Sequence, residues 1–101
     1  MSWGHWGTYP RHLYRYFAKK GIEYNKITNW QTFKNYANTT SHYVISVFYS
    51  DGSGLHSFYV MKVGAEYHAY NAYKPSMETF YTLDEILNGN FFTVGYLIYE
   101  N

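Results

Sequence analysis

The chain has 101 residues, a formal net charge of +1 and no cysteine, and this length is typical of one domain with one core. The absence of cysteine excludes disulfides, thiolate metal sites and a thiol nucleophile within this sequence. No apolar run approaches the roughly 18 residues of a membrane span, and the first residues lack the blocks of a signal peptide, so the sequence predicts no compartment.

The first part of the chain carries helix and strand signals in turn. A helix is predicted to begin near Pro10 and to end at Gly21, because proline suits the first helical turn and glycine commonly follows the last one. Residues 21–27 then alternate with a period of two, as a short strand does. A second helix is expected next, capped by Thr28 or Asn29.

The middle of the chain predicts three consecutive strands. Residues 43–49 and 55–63 are rich in β-branched and aromatic side chains, and the turn residues 51–54 separate them. The tight turn Gly64-Ala65 then leads into a third strand at 66–73. These three strands are expected to form an antiparallel meander.

The last part of the chain predicts a short helix and a final strand. Thr82 and Glu85 have the spacing of a capping box, and the helix that they open should end near Asn88. Residues 91–99 read as a strand. Together the elements predict an α+β fold for residues 1–101 as a single domain, with a mostly antiparallel, twisted sheet of about five strands and two to three helices.

The candidate site is a histidine and an asparagine on the predicted hairpin, His56 and Asn71. If Gly64-Ala65 are the two central residues of the turn, Phe58 lies opposite Asn71. His56 and Asn71 are then diagonal neighbours on the same face, with backbones about 7–8 Å apart. A three-residue turn would place them on opposite faces.

Such a pair has a direct chemical use. An amide oxygen that accepts a hydrogen bond from one imidazole nitrogen fixes the tautomer of the ring and leaves the other nitrogen able to act as a base. A base with an orienting group is two thirds of a nucleophile, base and orienter arrangement. The alternative is a hydrogen-bonded polar pair at the rim of a sheet, with no catalytic role.

Several segments occur in an order that a known family shares. They are Gly7-Thr8-Tyr9-Pro10, Gly21-Ile22-Glu23-Tyr24, Val44-Ile45-Ser46-Val47, His56-Ser57-Phe58-Tyr59-Val60 and Tyr70-Asn71-Ala72-Tyr73. In this respect the chain resembles the C-terminal part of the papain-like, C39-like cysteine peptidases. The resemblance implies a papain-like half-domain that acts on peptide or protein substrates, with His56 as general base and Asn71 as the orienting residue.

The resemblance also implies features that this sequence lacks. The family has a nucleophilic cysteine at the start of an upstream helix, with a glutamine just before it, and neither is present. Asn71 is followed by Ala72, where the family often has Asp-Pro. We therefore expect the chain alone to be inactive. Three explanations remain open: the chain is a fragment of a longer protein, its partner half is another chain, or it is a scaffold that has lost the reaction.

Other functions are weighed against this one. A non-catalytic peptide-binding or oligomerisation module is the main alternative, and it predicts a homo-oligomer, because a half-domain exposes apolar surface. Residues 1–36 hold six basic residues and one acidic residue. This asymmetry is found in nucleic-acid binders, but the basic residues are scattered, as on the solvated flank of a helix. We therefore expect no nucleic-acid partner. The five histidines, His5, His12, His42, His56 and His68, lack the short ligand spacings of zinc sites. A site made from strand histidines such as His42 and His68 is the alternative, and no metal or cofactor is expected.

Overall fold

The computed structural model describes residues 19–71 and 77–99 of the chain. Within these ranges there are six strands: β1 (Glu23–Ile27), β2 (His42–Phe48), β3 (Leu55–Val63), β4 (Glu66–Asn71), β5 (Met77–Phe80) and β6 (Phe91–Tyr99). Two α-helices, α1 (Trp30–Tyr36) and α2 (Leu83–Leu87), and a 3-10 helix, Ala37–Thr39, also fall wholly within them.

The strands form one sheet in the order β1-β6-β2-β3-β4-β5, and every neighbouring pair is antiparallel. The predicted α+β class is therefore confirmed. The described residues form six strands where about five were predicted, because the four-residue strand β5 also pairs with β4 at one edge of the sheet.

Two predicted elements lie partly outside the described residues. The first helix, predicted from Pro10, is described only at its last two residues, Lys19 and Lys20. Gly21 follows them with φ +66°, the left-handed conformation that glycine adopts where helices end. The strand predicted at 66–73 is described as far as Asn71, and its last two residues lie outside the described ranges.

The hairpin between β3 and β4 has the predicted two-residue turn. Val63 lies opposite Glu66 and Phe58 lies opposite Asn71. Gly64 has φ +62° in the turn, a conformation that side chains with a Cβ avoid. The pleat therefore places the even-numbered residues of β3 and the odd-numbered residues of β4 on the same face.

We call this face of the sheet the helix face, because α1 and α2 pack on it. Its core is apolar and rich in rings, and the buried members are Phe33, Ala37, Tyr43, Ile45, Val47, Val60, Ala69, Leu83, Ile86 and Leu97. The other side of the sheet, called here the opposite face, holds a smaller buried cluster of Val44, Val94, Tyr96 and Ile98.

Helix α1 is held against the sheet by ring packing. Asn29 caps it, with its side-chain oxygen accepting from the backbone N–H of Thr32 at 2.9 Å. Phe33 is fully buried and lies directly over Gly95, where an added Cβ would come within 2.5 Å of the ring. The ring of Phe92 packs alongside, with its centroid 5.7 Å from that of Phe33. Because Gly95 has no Cβ, the Phe33 ring can pack directly on the backbone of β6.

Strand β6 carries one extra residue relative to β2. Ser46 lies opposite Val94, but the next residue, Val47, lies opposite Phe92. Thr93 is the additional residue in this β-bulge, and such a bulge bends the strand and shifts its register locally.

Buried Tyr43 joins β2 to the loop after α1. Its hydroxyl lies 2.5 Å from the carbonyl oxygen of Ala37 and 2.8 Å from that of Thr40. Burial, with a smaller contribution from Tyr67, raises the pKa of Tyr43 to about 12. The hydroxyl therefore stays protonated and serves as a donor.

Helix α2 begins with the predicted capping box. The hydroxyl of Thr82 accepts from the backbone N–H of Glu85 at 3.2 Å, and the Glu85 carboxylate accepts from the backbone N–H of Thr82 at 2.8 Å. Asp84 links the two helices, since it accepts from the Trp30 indole at 2.7 Å and from Lys34 at 3.1 Å. These two hydrogen bonds lower the pKa of Asp84.

In the part of the chain that the structure describes, none of the helices has the length and apolarity needed to cross a membrane.

Candidate functional site

His56 and Asn71 meet on the helix face, as the hairpin register requires. Burial lowers the pKa of His56 from 6.5. The hydrogen bond to the Asn71 side chain has a smaller, opposite effect, because an amide oxygen that accepts from a ring N–H stabilises the protonated form. The imidazole is therefore neutral at neutral pH and can accept a proton.

Two aromatic rings fix the orientation of the imidazole. Tyr49 stacks on His56 with ring centroids 5.6 Å apart. Phe58 meets it edge to face at 4.7 Å. His56 is only 3% exposed, so the ring is held in one orientation by its neighbours as well as by the hydrogen bond to Asn71.

The turn after β2 positions Tyr49. Its backbone N–H donates to the carbonyl of Gly54 at 2.9 Å, and its carbonyl accepts from Gly52 at 3.0 Å. The Asp51 side chain accepts from the backbone N–H of Ser53 at 2.8 Å and closes the loop. The predicted turn at 51–54 is confirmed, and its function at the site is to place the Tyr49 ring against His56.

A cleft of about 320 Å³ opens beside the histidine and asparagine. Its lining comes from strands β3, β4 and β5, from helix α2 and from the segments next to β2 and β6. The residues that line it are Tyr49, Phe58, Asn71, Glu78, Phe80, Glu85, Ile86, Asn88 and Asn90. Three of these residues, Tyr49, Phe58 and Asn71, also contact His56, so the cleft adjoins the pair, although the buried His56 ring is not among the residues that line it.

Hydrogen bonds fix the polar wall on the α2 side of the cleft. One carboxylate oxygen of Glu85 accepts from the backbone N–H groups of Tyr81 at 3.0 Å and Thr82 at 2.8 Å, and these bonds lower the pKa of Glu85. Asn88 ends the helix in the left-handed conformation, with φ 48°. Asn90 accepts from the backbone N–H of Ser50 at 3.0 Å, which ties this wall to the loop beside Tyr49.

The acidic side of the cleft was not predicted from the sequence. Glu78 lies on β5 opposite Ala69, and it is a diagonal neighbour of Asn71 on the same face. Glu85 is predicted only as part of a capping box. Predicting Glu78 at the site requires strand β5, whose sequence has no strong strand pattern. Predicting Glu85 there requires the packing position of α2, which is set by residues distant in the sequence.

The histidines weighed as metal ligands are not brought together. His42 and His68 lie in one row on the opposite face, each beside Met61, so two strand spacings, about 10 Å, separate their backbones. His42 is hydrogen-bonded to the Tyr59 hydroxyl at 2.7 Å and His68 to Glu66 at 3.1 Å. Among the described side chains, no group of three histidine, cysteine or acidic residues could hold a metal ion. His5 and His12 lie outside the described residues.

A second buried polar pair occupies the opposite face. The hydroxyls of Ser46 and Ser57 lie 2.7 Å apart, and both residues are buried. They are direct cross-strand partners on β2 and β3. The two buried hydroxyls are hydrogen-bonded to each other, so neither requires a partner from outside the sheet.

The site as a whole combines a neutral imidazole fixed by an amide and two rings with an adjoining acidic cleft. Such an arrangement can take up a proton at the imidazole and can hold a ligand next to it. Compared with known proteins, the chain matches no protein-family model, no curated protein and no solved structure.

Proposed function

We propose that this chain carries the base half of a papain-like, C39-like cysteine peptidase site, with His56 as the base and Asn71 as the residue that orients it. The observation that supports this proposal is the hydrogen bond between a buried, neutral His56 and Asn71. The stacked ring of Tyr49 and the edge-on ring of Phe58 keep the imidazole in place. A general base requires such a fixed orientation.

The reaction needs a thiol from outside this sequence. His56 takes the proton of that thiol, and the thiolate attacks the carbonyl carbon of a peptide bond. The imidazolium then gives the proton to the leaving amine, while Asn71 keeps the ring in one orientation throughout. Because the sequence has no cysteine, the chain alone has no peptidase activity.

The ability of His56 to act as a base is tested by supplying a thiol next to it. Tyr49→Cys places a thiol where the Tyr49 ring now stacks on the imidazole. We expect the pKa of this thiol to fall by about one unit or more below its ordinary value near 8.5, because an adjacent imidazolium stabilises a thiolate. The pH dependence of alkylation by iodoacetamide measures it.

The matched control is Tyr49→Cys combined with His56→Gln, which keeps the burial of the thiol and removes the base. If both proteins alkylate with the same thiol pKa, His56 is not a base and the proposal fails. Adding Asn71→Ala to Tyr49→Cys tests the orienting residue, and an intermediate thiol pKa is expected.

Assays of the unaltered chain test the second half of the proposal. Purified protein should leave casein and short peptides intact over hours, with or without added reducing agent. Cleavage that His56→Ala abolishes would show that the chain is a complete enzyme acting without a thiol of its own.

A second candidate function is a binding or oligomerisation module, and one observation favours it. Phe48 and Phe91 are cross-strand partners on the opposite face, and they are 42% and 61% exposed. Adjacent exposed rings are typical of interaction surfaces. A second copy of the chain is the partner we propose. Sedimentation should then show a dimer that Phe48→Ser dissociates, and a monomer in the unaltered protein would count against this function.

A further inference from the structure

We propose that the cleft beside His56 and Asn71 binds the cationic side chain of a peptide, arginine or lysine, and so selects basic peptides as ligands of this site. This inference rests on the proposed function, because it names the substrate class of the same site. Two observations support it. One is the chemistry of the residues that line the cleft, and the other is that Tyr49, Phe58 and Asn71 both line the cleft and contact His56.

Charge is the first argument. The described residues that line the cleft include two carboxylates, Glu78 and Glu85, and no basic side chain. The pKa of Glu85 is lowered by the backbone N–H groups that it accepts from, so this carboxylate remains ionised well into the acidic range. A cleft walled by two carboxylates favours a cation over a neutral or anionic group.

The apolar surface of the cleft is the second argument. Tyr49, Phe58 and Phe80 present rings to the cleft, and Ile86 adds an aliphatic surface. Arginine and lysine carry a charged head on an aliphatic stem, so the stem can lie along apolar surface while the head meets carboxylates. Aromatic rings also attract cations directly. The lining therefore fits an amphipathic cation better than a small inorganic one.

Size and position are the third argument. A volume of about 320 Å³ is at the small end of ligand sites, which begin near about 300 Å³, so the cleft has room for one long side chain. The amides of Asn88 and Asn90 at its edge can bind the backbone of a peptide. Asn71 lines the cleft and is hydrogen-bonded to His56, so a side chain bound in the cleft would be separated from the imidazole by Asn71 alone.

The test uses three small neutral-capped amino acids and the full chain. N-acetyl-arginine methylamide is titrated into the protein and followed by shifts of the asparagine side-chain NMR signals, against the citrulline and glutamate analogues. We expect the arginine compound to bind in the millimolar range, about 1–10 mM, at least about threefold more tightly than the citrulline compound. The glutamate compound should not bind. Higher salt should weaken binding of the arginine compound.

Two variants and one control locate the binding. Glu78→Gln and Glu85→Gln should each weaken arginine binding about threefold, and glutamine keeps the capping box of α2 because it can replace glutamate there. Glu66→Gln, which changes a carboxylate on the opposite face beside His68, should leave binding unchanged.

Each outcome decides the proposal. It is overturned if the arginine and citrulline compounds bind equally, if neither binds at up to about 20 mM, or if Glu66→Gln weakens binding as much as Glu78→Gln does. The result is separable from the base role of His56. Arginine binding is read from the unaltered chain and its glutamate variants, whereas the base role is read from the thiol pKa of Tyr49→Cys.

Discussion

The two ends of the helix face are built differently. Under α1, the rings of Trp30, Phe33 and Phe92 pack with centroids 4.9 to 5.7 Å apart, and Phe33 fills the space over Gly95. Under α2, the five-residue helix leaves a cleft next to a buried histidine. We call these the packed end and the open end.

The difference shows where the molecule can carry out chemistry. At the packed end the apolar rings leave little room for a ligand, and their function is to stabilise the fold. At the open end a neutral imidazole, two carboxylates and several amides surround a space that water or a ligand can enter. Stability and binding should therefore respond to different substitutions, and this expectation can be tested from the largest effect to the smallest.

The largest effect should come from Phe33→Ala at the packed end. Removing a fully buried ring leaves a cavity, and we expect a loss of about 3–5 kcal/mol in the free energy of unfolding. Urea denaturation measures it. Phe80→Ala at the open end, where the ring is only partly buried, is the matched control and should cost about 1–2 kcal/mol. Equal losses would mean that the two ends do not differ in packing.

Gly95→Ala should cause the next largest loss in the free energy of unfolding. The new methyl group would lie 2.5 Å from Phe33, and overpacking of this kind costs about 1–3 kcal/mol. The measurement is again urea denaturation. Combining Gly95→Ala with Phe33→Leu should recover part of the loss, because a narrower side chain makes room for the methyl group. No recovery in the double variant would show that the contact with Phe33 is not the cause.

A smaller, pH-dependent effect should come from His56 at the open end. Its folded pKa is lowered from 6.5, so as the pH falls through about 6.5 the unfolded chain takes up the proton before the folded chain does. Stability attributable to His56 is therefore present above this pH and declines as the pH falls towards the folded pKa. Unfolding of the unaltered protein and of His56→Gln at several pH values measures it. A flatter profile for His56→Gln is expected, and identical profiles would contradict the lowered pKa.

The smallest effect on stability should come from Glu78→Gln. Glu78 is exposed on an edge strand, and surface substitutions of this kind change stability by about 0.5 kcal/mol or less. Thermal unfolding measures it. A marked loss of stability would mean that the carboxylate is part of the fold, in which case weaker binding of the arginine compound by this variant would no longer report on the cleft alone.

Local signals in the sequence predicted the parts of the fold that depend on neighbouring residues. The turn Gly64-Ala65 sets the register of β3 and β4 by itself, so the positions of His56 and Asn71 on one face were predicted correctly. The capping box of Thr82 and Glu85 is likewise complete within four residues. Both are confirmed because their geometry requires no contact with the rest of the chain.

Long-range packing set the parts that were missed. Strand β5 has four residues, three of them exposed, so its alternation of polar and apolar residues is too short to detect, and its pairing with β4 supplies its structure. The rings of Tyr49 and Phe58 were predicted as strand residues and not as contacts of His56. The cleft depends on β5, on α2 and on Asn90 together, and no local pattern brings these elements to one place.

The extra residue Thr93 determines which phenylalanine each side of the molecule receives. Because of the bulge, Phe92 lies opposite Val47 and joins the core, while Phe91 lies opposite Phe48 and faces outward. In a register without the bulge, Thr93 would lie opposite Val47 and Phe92 opposite Phe48, so the two rings would exchange faces. The bulge at Thr93 therefore governs both the packing under α1 and the aromatic surface on the other side of the sheet.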